Sequence, residues 1–112
     1  MNIQIFGTKK SADARKAERW FKERRIRFQY VDMAEKGLSR NELKNVLQAV
    51  GAERLVDESC RDQDALALYR YASPATREDV LFEHPQILRL PIVRNGRQAT
   101  AGYCPEVWKD WE

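Results

Sequence analysis

The stretch Asn2-Ile-Gln-Ile-Phe-Gly7-Thr-Lys-Lys-Ser11-Ala-Asp-Ala14-Arg15-Lys-Ala17-Glu-Arg-Trp20-Phe21 decides the fold. Asn2 to Phe6 alternates polar and apolar residues, the period of a half-buried strand, and Gly7-Thr8 closes it. From Ser11 to Arg24, Ala14, Ala17, Trp20 and Phe21 share one helical stripe, with basic residues around the rest. Ile26 to Met33, carrying Phe28, Tyr30 and Val31, predicts a second strand. Strand, helix and strand in succession make a βαβ unit, which implies a parallel pair and a right-handed crossover.

Downstream, Ser39-Arg-Asn-Glu42 is a capping box, and Leu43, Val46, Leu47 and Val50 continue a helical stripe until Gly51 stops it. Residues 52–63 are polar and ambiguous. Ala65 to Tyr71 predicts a helix. Thr76-Arg-Glu-Asp79 predicts the cap of another, which carries Val80, Leu81 and Phe82 and ends at His84-Pro85. Pro91 to Arg94 and Arg97 to Ala101 predict a hairpin, with Asn95-Gly96 as its two-residue turn. Gly102 breaks that strand, and Pro105 starts a short C-terminal helix with Val107, Trp108 and Trp111. The expected architecture is α/β, a single domain over 1–112. It has a four-stranded mixed sheet, βαβ then β-hairpin, with a helical block inserted at about 39–85.

A length of 112 residues suits one core rather than two. The net charge is +3, but Lys and Arg are interleaved with Asp and Glu, and the densest basic spots are Lys9-Lys10 and Lys22-Glu-Arg-Arg25. Such mixing reads as solvated helix faces rather than a nucleic-acid footprint. No stretch approaches the roughly 20 apolar residues of a membrane span. No basic-then-apolar leader is visible, so a cytoplasmic location is expected. Cys60 and Cys104 stand too far apart for a metal-binding pair and too few for a disulfide framework, so no metal site is expected. His84 has no second ligand nearby, Cys60 reads as incidental, and Trp20, Trp108 and Trp111 read as packing.

Three segments, Ile5 to Ala17, Pro85 to Gly96 and Gly102 to Trp108, resemble the arsenate reductase-like (ArsC/Spx/YffB) branch of thioredoxin folds. The resemblance covers nearly the whole chain and implies a thioredoxin-like fold with thiol oxidoreductase chemistry. It also implies a cysteine at the Ser11 position and, in some Spx-type members, a second one at the Ala14 position. The orphan N–H groups and dipole of a helix start stabilise an anion there. They lower a cysteine from about 8.5 to between about 3.5 and 7.5. A serine hydroxyl titrates far higher, forms no disulfide and needs an adjacent base. The expected role of Ser11 is therefore a helix N-cap.

The resemblance also implies arginines that hold an oxyanion. Their positions carry Leu90, Cys104 and a residue near Glu58 or Ser59, with Arg61 offset. Arg89 is displaced by one and, on a strand-like segment, is expected to point to the other side. A guanidinium clamp needs fixed geometry, so arsenate reduction is disfavoured. Pro91 resembles the proline that thioredoxin folds place in cis opposite the active helix start. Cys104 is either a resolving thiol inherited from an ancestor or a half-buried strand-end cysteine. Lys10 and Arg15, with Lys9 and Lys16, make either a small site for phosphate, sulfate or an acidic peptide, or a solubilising surface. The combined expectation is a family member that is inactive or altered at Ser11. It would carry no cofactor, with glutathione or a glutaredoxin as a thiol partner. The alternative is an Spx-like protein-binding module without redox chemistry.

Overall fold

The computed structural model describes residues 1–111. Strand β1 (Ile3–Gly7) leads into α1 (Ala12–Glu23) and then β2 (Phe28–Asp32). Four helices follow: α2 (Arg40–Val50), α3 (Ala52–Leu55), α4 (Gln63–Tyr71) and α5 (Arg77–Glu83), the last continuing into a 3₁₀ turn at Pro85–Ile87. The hairpin β3 (Ile92–Asn95) and β4 (Gln98–Ala101) and the short α6 (Pro105–Trp108) complete the described fold. The sheet order is β2-β1-β3-β4, with β1 parallel to β2 and antiparallel to β3. The mixed four-stranded thioredoxin-like sheet expected from the sequence is therefore present.

Strand alternation divides the core in two. Ile3 and Ile5 of β1 and Val93 of β3 face α1 and α6, where Ala17, Trp20, Phe21 and Trp108 are buried with them. Phe6 and Ile92 face the opposite way and pack with Leu43, Val46, Leu55, Leu66, Leu81 and Ile87 of the helical block. On that second face the Arg94 guanidinium donates to Gln4 Oε1 at 2.8 Å, Asn45 Oδ1 at 3.0 Å and Glu42 Oε2 at 3.3 Å. That network satisfies a half-buried charge beside the apolar core. The Trp108 indole donates to Thr100 Oγ1 at 2.8 Å, so its buried N–H is paired and its ring serves as packing.

Helix α1 lies unusually close to the end of β1. A Cβ placed on Gly7 would stand 2.6 Å from the Ala14 Cβ and 3.1 Å from the Tyr30 hydroxyl. The missing side chain at Gly7 and the single methyl at Ala14 together let the first turn of the helix settle on the strand end.

Several boundaries differ from the sequence reading. Asn95 pairs with Gln98, so the two-residue loop is Gly96-Arg97 rather than Asn95-Gly96. Gly96 takes the positive φ, 62°, that the first position of such a loop demands. Thr76 does not cap α5 with its side chain; it is already helical, and its hydroxyl donates to the Ser73 carbonyl. The ambiguous stretch contains α3 and an isolated bridge between Val56 and Leu88. Trp111 lies beyond α6 but still packs against the Trp108 cluster.

Gly7→Ala should destabilise the fold by about 1–3 kcal/mol, because the added methyl meets a helix that cannot retreat without uncovering the core. A lower denaturant midpoint at unchanged slope is the expected result in a guanidinium titration.

Candidate functional site

The β1–α1 junction places Ser11 at the N-cap of α1, with extended backbone angles. Its Oγ accepts from the Ala14 N–H at 3.1 Å, and its carbonyl accepts from the Arg15 N–H at 3.2 Å. The hydroxyl thus takes up one of the orphan donors of the helix start.

Ser11 lines an open cleft of about 590 Å³ between the start of α1, the α3–α4 loop and the segment before β3. Arg61, Arg89, Leu90 and Cys60 line the same cleft. So do three carboxylates, Asp13, Asp57 and Asp62. Asp57 Oδ1 accepts from both the backbone N–H and the hydroxyl of Ser59, at 3.0 and 2.7 Å. Asp62 caps α4 by accepting from Ala65 N–H at 3.0 Å, and it accepts from the Gln86 amide at 2.8 Å. The Gln86 hydrogen bond, helped by Ala65, holds the Asp62 carboxyl below its ordinary value.

The expectation that Arg89 points away from the site is wrong. Residues 89 and 90 are not in a strand, so the two-residue alternation does not apply to them. The Arg89 N–H donates to Leu55 O at 2.7 Å and its Nε to Arg54 O at 2.9 Å, which ties the residue to α3 and leaves it lining the cleft. Neither Arg61 nor Arg89 forms a salt bridge among the described residues.

The other predicted residues divide. The Leu90–Pro91 peptide is cis, as the resemblance implied, and the Pro91 carbonyl accepts from Gly102 N–H at 2.9 Å. Leu90 reaches the cleft, whereas Pro91 is buried beneath it. Lys10 and Arg15 are exposed and outside the cleft lining. The Ser11 cleft is therefore not walled by the helix-start cations; its own charges are two arginines against three aspartates.

Cys104 is half-buried beside the Trp108 cluster, and its thiol donates to Ala101 O at 3.4 Å. Burial pushes this thiol up, Glu106 adds to the effect, and Arg54 and Arg89 oppose it. A raised thiol stays protonated at neutral pH and is a poor nucleophile. Cys60, which sequence reasoning set aside, stands in the cleft instead, its thiol 3.7 Å from Asp62 O. Nothing in its local sequence marks it, because the α3–α4 loop reaches Ser11 only through the fold. Among the described residues no group of His, Cys, Asp and Glu could hold a metal ion. None of their helices is long and apolar enough to cross a membrane.

No protein-family model matches the chain. Among curated proteins it is similar to the global transcriptional regulator Spx 2 of Oceanobacillus iheyensis. The two are 26% identical over 106 residues, 92% of this chain and 78% of that protein. An ArsC family related protein from Bacteroides fragilis superposes with a TM-score of 0.85 at 18% identity, over 100% of this chain and 98% of the other. The chain shares the arsenate reductase-like, thioredoxin-type fold of that protein. Arsenate reductase from Vibrio cholerae has this arsenate reductase-like fold too, with a TM-score of 0.80 and 24% identity over 96% of this chain and 94% of that one.

Ser11→Ala should cost about 1 kcal/mol through loss of the α1 cap, read as a shift of the denaturation midpoint. Asp62 has a lowered folded-state pKa. Its contribution to stability is therefore complete above the ordinary value of 3.8 and is lost as pH falls through the lowered one. The stability gap between wild type and Asp62→Ala should accordingly be full at neutral pH and narrow in acid, measured by denaturation at both.

Proposed function

We propose that this is an arsenate reductase-like protein whose position 11 has given up thiol chemistry and whose cleft binds a ligand without turning it over. The carrying observation is the hydroxyl at Ser11, a neutral group that accepts the Ala14 N–H as a helix cap where a thiolate would be stabilised. The lone histidine of the chain, His84, is absent from the cleft lining, which leaves Ser11 without an imidazole base there.

The cleft suits a ligand with both charges better than a bare oxyanion. Arg61 and Arg89 offer guanidinium donors, but Asp13, Asp57 and Asp62 share the wall and repel a small multiply charged anion. A small thiol such as glutathione, or a protein thiol partner such as a glutaredoxin, offers carboxylate and amine groups to both sets. Arsenate reduction is disfavoured on this ground and by the missing thiol.

The similarity to an Spx regulator favours a second reading, a protein-binding module that acts without redox chemistry. The two readings part in one set of measurements. Wild type should show no thiol-disulfide exchange with glutathione or a glutaredoxin. Ser11→Cys, made with Cys60→Ser and Cys104→Ser, should show thiolate absorbance at neutral pH and gain exchange activity. Wild-type turnover abolished by Cys60→Ser would overturn the proposal by moving the chemistry to Cys60. A stoichiometric protein partner retained equally by wild type and Ser11→Cys, with no glutathione binding by either, would select the Spx-like reading.

A further inference from the structure

The charge of the chain is unevenly distributed. Residues 9–27 carry nine Lys and Arg against three Asp and Glu, a net of +6, which leaves −3 for the rest of a chain whose total is +3. In the sequence the two signs interleave, and that mixing reads as a solvated face. The fold separates them. Asp13 turns to the Ser11 cleft, which it lines. Glu18 is half-buried, paired with Lys22 at 3.5 Å and close enough to Tyr30 to add to the rise that burial gives its hydroxyl pKa. Glu23 is left as the acid that shares the outer face.

That face carries Arg15, Arg19 and Lys22 at i, i+4 and i+7, all exposed, opposite the buried Ala14, Ala17, Trp20 and Phe21. Lys10 and Arg25, also exposed, flank the two ends of α1 along the chain. From Arg15 to Lys22 the helix rises about 10.5 Å, so the row is long enough to meet more than one phosphate.

The occupant follows from what the face lacks. The exposed large hydrophobic side chains are Met1, Leu68, Tyr71, Phe82, Tyr103 and Val107, and none lies on α1. A protein partner is held chiefly by aromatic and apolar anchors at the centre of the contact. A phosphodiester backbone needs only positive charge and hydrogen-bond donors, and guanidinium groups meet phosphates through paired bonds. We propose that the outer face of α1 is a docking surface for the phosphate backbone of nucleic acid, one that reads no bases. The surface is separate from the Ser11 cleft and stands independently of the function proposed for it.

Fluorescence anisotropy with a labelled mixed-sequence DNA duplex tests this. Wild type should bind at low salt without sequence preference, and log K should fall linearly with log salt. The triple variant Arg15→Ala, Arg19→Ala, Lys22→Ala should bind at least tenfold more weakly. Its salt slope should be shallower by about 0.9 for each phosphate that the variant no longer neutralises. Alanine suits exposed helical sites, and circular dichroism checks that the helix survives. The single reversal Arg19→Glu should also weaken binding. A control triple, Lys36→Ala, Lys44→Ala, Arg97→Ala, removes the same charge from exposed positions elsewhere and should bind as wild type does. Three results would overturn the proposal: no wild-type binding at low salt, equal weakening by the control triple, or displacement of DNA by poly-glutamate of matched charge. The last would assign the face to an acidic protein.

Discussion

The contact between Gly7 and Ala14 is the constraint on which the site depends. It joins the last residue of the central parallel strand to the first turn of the helix that follows. An added Cβ at Gly7 would stand 2.6 Å from the Ala14 methyl, well inside van der Waals contact. Because neither residue projects further, the helix start sits at the level of the strand end. The α3–α4 loop and the cis Leu90–Pro91 bond then come alongside it, and the cleft lies between them. Tyr30, paired with Ile5 in the neighbouring strand, closes the same corner from below.

Within that frame the chemistry turns on how the helix-start donors are used. A thiolate would draw on them as an anion, whereas the neutral Ser11 hydroxyl accepts one as a cap. The two cysteines are sorted by environment. Cys104 is drawn into the tryptophan cluster, where burial keeps it protonated, and Cys60 stands at the cleft. Asp57 and Asp62 organise the loop that carries Cys60 and Arg61, so the acidic wall is partly a structural consequence of building that loop. The fold is shared with an arsenate reductase and the sequence is similar to that of a transcriptional regulator, so neither likeness chooses a function. The side chains at the cleft and on the outer face of α1 carry that choice.

The sheet alternates not only apolar residues but also charge. Gln4 and Arg94, paired across β1 and β3, share a face with Phe6 and Ile92 and bind Glu42 and Asn45 of α2. A register slip of one residue would turn Arg94 into the tryptophan cluster and leave its charge unpaired, so this network opposes misregister as well as linking α2 to the sheet.

Local chemistry made much of this protein legible from its sequence. The βαβ unit, the Ser39–Glu42 capping box, the Ser11 cap and the buried stripe of α1 all follow from periodicities of two and 3.6 and from side chains that bond their own backbone. Those are short-range rules, read within one or two turns. The hairpin frame does not follow from them, because Asn95 and Gly96 both suit turns and cross-strand pairing alone decides between frames. The cleft was less legible, since its walls come from residues 11–13, 57–62 and 86–90, which no local rule relates. The direction of Arg89 is equally illegible, since strand alternation does not hold in a segment whose backbone bonds to α3 instead. The separation of charge around α1 was hidden for the same reason. The sequence states which charges are present, but only packing determines which of them turn toward a cleft, toward a neighbouring strand or toward solvent.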